Sequence, residues 1–176
     1  MNTVKRIAFD GVGIALYVVV SLFLSFPIIQ NWYLSLGYTV MVVFLYSIGM
    51  ADGIIVGIFG TALYCLLVNM IWGMPGWIIG NIIICLILGA VLKRIGNVSD
   101  WKAGNYILLC VVIALSSVIG ILLIKSWIES LYYGQTFVIR IVRNFGACIM
   151  DIIGLLLSVP VIAACGNKLK EIYTRK

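Results

Sequence analysis

The sequence predicts an all-α integral membrane protein: a bundle of six transmembrane helices with both termini cytoplasmic. Three observations carry that expectation. Apolar residues make up 64% of the 176-residue chain and charged residues only 10%, with a mean hydropathy of +1.19, whereas an ordinary globular chain is about 45–50% apolar. The apolar residues fall in runs of roughly bilayer-spanning length. The cations sit in short clusters between those runs, the pattern of membrane topology rather than of a nucleic-acid surface, although the net charge is +6.

A helix needs about 20 apolar residues, at about 1.5 Å each, to cross the hydrocarbon. The first run, Ile7 to Phe26, stops at Pro27; no small-residue cleavage pattern follows it, so it reads as a retained helix. The next, Leu34 to Trp72, has Asp52 as its only charge. As a single helix it would be about twice the hydrocarbon thickness, so it must turn back. The corner is placed at Ser47–Gly53, giving spans near 34–49 and 53–72. Further spans are expected at Gly76–Val91, Gly104–Ile124 and Arg143–Cys165. Residues 1–176 thus form one six-helix domain with no room for a soluble one.

Orientation follows from the loops. With the N-terminus inside, the inner segments hold Lys5, Arg6, Lys93, Arg94, Lys102, Lys168, Lys170, Arg175 and Lys176, against Lys125, Arg140 and Arg143 outside. Lys and Arg accumulate on the cytoplasmic side of membrane proteins, which fixes the termini there.

Much chemistry is missing. The chain has no histidine, no paired-carboxylate motif, no phosphate-binding glycine loop with its lysine and no CxxC. No catalytic residue, metal site or cofactor is expected, and energy for any transport must come from another subunit. Internal symmetry, the mark of an inverted-repeat transporter, is absent. The five cysteines lie in or beside apolar runs and read as packing residues.

Polar side chains at membrane depth are costly and mark a cavity or a helix contact. Arg140, Asn144, Ala147 and Asp151 recur at helical spacing and share one face, with Arg143 beside them. Two readings compete: a polar stripe descending into a ligand pocket, or an interhelical staple through Asp151. Trp77 and Asn81, one turn apart, share a face near the outer end of the fourth span. The outer loop with Asn31, Trp32 and Tyr33, and the segment from Lys125 to Arg140 with Trp127, Glu129, Tyr132, Tyr133 and Gln135, add rings and amides. Such a set can stack and hydrogen-bond a flat, polar-edged organic ligand; a belt of interfacial anchors, Trp72 among them, has the same composition. Gly11 and Ala15, with Gly13 between, form a small-residue face on the first span, and Gly53, Gly57 and Gly60 do so on the third. These faces serve either packing within the bundle or a partner.

Several stretches resemble one family in order and spacing: Gly11-Val-Gly-Ile-Ala-Leu-Tyr17, Tyr33-Leu-Ser-Leu-Gly37, the glycine-spaced Gly53 to Tyr64, and Trp72-Gly-Met-Pro-Gly-Trp-Ile-Ile-Gly80. The chain resembles, over nearly its whole length, the S component of energy-coupling factor (ECF) vitamin transporters, nearest the riboflavin-type group. It departs at Met50, where a proline is usual, and at Thr61 and Cys65, where relatives often carry more polar or acidic residues. The resemblance implies a subunit of a prokaryotic cell membrane that is not itself an enzyme. Such a subunit captures a small vitamin or precursor, of the flavin, pyridoxine, pyrimidine or pantothenate class, on the outer side. Its implied partners are membrane lipid, a transmembrane coupling protein and two cytoplasmic ATPases, with no nucleic acid. It implies a coupling contact at Gly11 and Ala15, and a pocket that takes in Asn31, Trp32, Tyr33, Trp77, Asn81, Arg140 and Asn144, to which the reading of the residues adds Tyr132 and Asp151 as candidates. The competing class is a structural or assembly membrane protein with no small-molecule ligand.

Overall fold

The computed structural model describes residues 3–29 and 32–174. Among the described residues eight α-helices follow in order: α1 (Thr3–Phe23), α2 (Gly37–Ser47), α3 (Met50–Leu67), α4 (Met74–Ile95), α5 (Ala103–Ser117), α6 (Ser126–Tyr133), α7 (Phe137–Leu156) and α8 (Ser158–Thr174). A π-helical stretch, Val118–Lys125, joins α5 to α6 as one continuous rod. Among the described residues, five helical stretches are long and apolar enough to cross a membrane: Thr3–Phe23, Met50–Leu67, Ile71–Ile95, Ala103–Tyr133 and Phe137–Thr174.

The second expected span, near 34–49, is the exception. Helix α2 has 11 residues, about 16 Å at 1.5 Å per residue and about half the hydrocarbon thickness. A β-hairpin precedes it where the sequence suggests a loop: Ser25–Ile29 (β1) pairs antiparallel with Trp32–Ser35 (β2), Ser25 opposite Ser35. The hairpin packs along α7, and at Gly154 the backbone of Ser35 comes so close that a Cβ would lie 2.6 Å from its carbonyl oxygen. Thr39 Oγ1 donates to the Gly154 carbonyl at 2.8 Å. The hairpin therefore extends the short α2 alongside the bundle, and its paired strands satisfy much of their own backbone.

Two other boundaries differ from expectation. The fifth helical rod does not stop at Ile124 but runs on through Lys125 and Glu129 to Tyr133. The last helical rod begins at Phe137 rather than Arg143. Hydropathy ends a span at its first charges; here those charges pair with one another inside the bundle, so the helix has no need to end. The corner after α2 falls at Ile48–Gly49, within the expected segment. The last rod is interrupted at Leu157, where Pro160 cannot donate to the Leu156 carbonyl four residues back.

The glycines of α3 face inward. A Cβ on Gly53 would meet Leu45, one on Gly57 Met41, and one on Gly60 the Tyr17 ring, so α3 lies tightly against α2 and α1. The core gathers around α2, with Met41, Val42, Val56, Ile84, Leu88 and Ile113 fully enclosed. At one end Arg6 grips Asp52 (Nε–Oδ1 2.7 Å), Lys5 reaches the Ile172 carbonyl and Tyr46 bonds Asn167. Both ends of the described chain, the α2–α3 corner and the α4–α5 loop thus lie together. The hairpin, the α3–α4 connection and α6 lie at the other end.

Candidate ligand-binding site

At the hairpin end, α1, α2, α3, α4, α6 and α7 enclose a cavity of about 800 Å³, within the range of small-molecule sites. Two helical stripes build its walls, and side chains from four helices its floor. The α7 stripe contributes Arg140, Asn144, Ala147 and Asp151, all of which line the cavity; their spacing puts them on one face, with Asp151 about four turns into the helix.

The second stripe comes from the continuous rod. Lys125 and Glu129, one turn apart, are both buried. Glu129 sits at the centre of an ion network: Lys125 Nζ lies 3.7 Å from Oε1, Arg140 NH2 3.1 Å from Oε2, and Asn144 Nδ2 donates to Oε2 at 2.8 Å. Asn144 also donates to Ser126 Oγ at 2.9 Å. Both cations rest on aromatic faces as well, Lys125 4.5 Å from the Trp77 ring centre and Arg140 4.0 Å from that of Tyr133. Such a cluster is tolerated in a low-dielectric setting only because its members satisfy one another.

The floor is assembled from α1, α2, α3 and α4. Tyr17 and Thr61 share a hydrogen bond of 3.0 Å, and Asn81 Nδ2 donates to Thr61 Oγ1 at 2.7 Å. The Tyr17 and Tyr38 rings meet edge to face, 6.3 Å between centres, and Tyr38 donates to Asp151 Oδ2 over a long 3.4 Å. Buried donors and acceptors without a hydrogen-bond partner gather here too: Arg140 Nε, Trp77 Nε1 and Asn81 Oδ1.

The structure thus brings Trp77, Arg140, Asn144 and Asp151 together on the cavity wall. Asn81 stands behind that wall, fully buried. Tyr132 points away and is exposed, while its neighbour Tyr133 lines the cavity. Asn31 lies outside the described residues, as do the side chains of Trp32 and Tyr33. Sequence reasoning left Tyr17 and Tyr38 out of the site, and had Lys125 and Glu129 only as part of an outer segment of rings and polar groups. The one-turn spacing of Lys125 and Glu129, flanked by apolar Ile121 and Ile128, carries the signal that the helix continues and that the pair faces inward.

Comparison with known sequences settles the family. Residues 1–166 match the family described as ECF-type riboflavin transporter, S component. The chain belongs to that family. S components are multi-pass subunits of the cell membrane that bind substrate for a transporter and are not themselves enzymes. Among curated proteins, this S component is similar to the "UPF0397 protein" of Lactococcus lactis subsp. cremoris, strains NZ9000 and MG1363. Identity is 31% over 96 residues, which is 53% of this chain and 51% of each relative. The chain therefore spans about half the length of the curated relatives it matches.

Gly11 and Ala15 belong to a different surface. Both are exposed on α1, and a Cβ on Gly11 would meet nothing within 4 Å. Gly13, between them, is the residue packed inward, where a Cβ would lie 2.6 Å from the Phe44 ring.

Proposed function

We propose that this S component is the substrate-specific subunit of an ATP-driven importer, capturing a small vitamin or vitamin precursor and delivering it inward with a coupling protein and two ATPases. One observation supports the reading above others: a cavity of about 800 Å³ lined by aromatic rings and several polar groups, in a chain of this family. A site with aromatic walls and a few converging polar groups suits a ring-bearing ligand of that size. The distribution of cations supports an outward-facing cavity. Lys5, Arg6, Lys93, Arg94, Lys102, Lys168 and Lys170 fall at the end opposite to it, which the positive-inside rule makes cytoplasmic.

Calorimetry on purified protein with riboflavin, pyridoxine, a thiamine pyrimidine precursor and pantothenate tests the reading. One compound should bind, and Trp77→Ala should weaken it about 10- to 100-fold, roughly 1.4 to 2.8 kcal/mol. Binding of none of them in a membrane-mimetic where the protein stays folded would sink the proposal.

A second reading draws on the ion network. Lys125, Glu129, Arg140 and Asn144 satisfy one another without a ligand, as they would in a structural or assembly protein. That alternative predicts that Asn144→Ala changes stability alone.

A further inference from the structure

Within the capture reading, and resting on it, the arrangement of charges on the cavity wall narrows the ligand. Two carboxylates line the cavity, and they are supplied very unequally. Glu129 faces Lys125, Arg140 and Asn144. Asp151 takes part in none of the ion pairs among the described residues, and its hydrogen bond from Tyr38 spans 3.4 Å. Yet Asp151 is only 4% exposed and lines the cavity. Of the cations that line the cavity, Lys125 and Arg140 lie between Glu129 and an aromatic face, and Arg143 lines it from an exposed position on α7. A buried carboxylate facing a cavity with one weak donor is an unfilled acceptor.

We infer that Asp151 receives the N–H edge of a flat, amino-substituted nitrogen heterocycle. Two carboxylate oxygens side by side accept two parallel N–H bonds, and an amino group next to a ring N–H presents such a pair. Tyr17 and Tyr38 border the same floor and supply the apolar, aromatic surface a planar ring requires. The same geometry disfavours other members of the vitamin class. An imide edge such as that of a flavin offers one N–H between two carbonyl oxygens, and those oxygens face the carboxylate with like partial charge. An acid such as pantothenate brings a second carboxylate to the floor. Specificity of this kind is sharp because a site that hydrogen-bonds a group rejects the analogue lacking it.

The test needs an isosteric pair. Calorimetry on the purified full chain would compare pterin, which carries the amino group, with lumazine, the same ring system with a carbonyl in its place; riboflavin and pantothenate complete the set. Pterin should bind about 10- to 100-fold tighter than lumazine, the range expected for hydrogen bonds to a charged group. Asp151→Asn, which keeps the shape but offers one donor and one acceptor, should erase that preference. Tyr38→Phe should preserve it. Lumazine, riboflavin or pantothenate binding as tightly as pterin would overturn the inference and leave vitamin capture standing. A pterin preference that survives Asp151→Asn would overturn it as well. Binding of neither pterin nor lumazine would also overturn it, while the vitamin panel decides the broader reading separately. Because the pterin–lumazine comparison uses unaltered protein, it stands even if a variant fails to fold.

Discussion

At the scale of single residues, Glu129 carries the heaviest electrostatic duty. It is 5% exposed and facing two cations and an amide, so removing it strands Lys125 and Arg140 in a low-dielectric site. Breaking a buried pair by deleting one partner typically costs about 3–5 kcal/mol. Glu129→Ala should therefore lower the thermal midpoint in detergent well below that of Glu129→Gln, which retains an acceptor. Equal midpoints for the two would show that the network adds little to stability. This residue also marks the limit of what the sequence shows. Arg140, Asn144, Ala147 and Asp151 are legible as a stripe because their spacing is helical within an apolar run. Glu129 and Lys125 are less so: their one-turn spacing is the local signal, but charges at the end of a run look like a loop. Only knowledge that Arg140 and Asn144 face them from another helix reveals that they are paired.

At the scale of elements, close backbone approach decides which helices meet around the site. Gly80 on α4 and Gly120 in the π-helical stretch lie against each other: a Cβ on Gly80 would sit 2.9 Å from the Gly120 oxygen, and one on Gly120 would sit 2.7 Å from the Gly80 oxygen. Without a hydrophobic drive between helices in lipid, such small-residue contacts allow the packing that holds them. The obstruction is backbone and cannot rotate away, so Gly80→Ala should cost about 1–3 kcal/mol through forced displacement. Gly11→Ala, with nothing within 4 Å, should leave stability unchanged. Thermal unfolding of both variants, side by side, checks the contrast; equal losses would show that the α4–rod contact yields freely. The Gly53–Gly60 face is readable from sequence as a packing surface, but its partners are not. The π-helical stretch has no local signature, since it arises inside a run of apolar residues that reads equally well as α-helix, and the hairpin before α2 follows Pro27 in a segment that reads as a loop.

At the scale of the whole molecule, composition and loop charges make the all-α membrane architecture legible, while the direction of the α1 small face is not, because periodicity is the same for an inner and an outer stripe. Packing separates the two. Gly13 is taken up against Phe44, whereas Gly11 and Ala15 remain on the surface beside Val12 and Leu16. In a membrane an exposed small-residue face allows the backbone of another helix to approach closely, and in the importer proposed here that helix belongs to the coupling protein. The cavity opens at the hairpin end and is walled by inward-facing side chains, so the two surfaces separate on mutation. Gly11→Leu and Ala15→Leu should each abolish co-purification with a co-expressed coupling subunit and its ATPases, while the dissociation constant for the ligand stays within about twofold of the unaltered protein, less than 0.5 kcal/mol. If either substitution weakened ligand binding in step with assembly, the face would be acting through the bundle and not through a partner. If assembly survived both substitutions, the coupling protein would have to dock elsewhere on the lipid-facing surface.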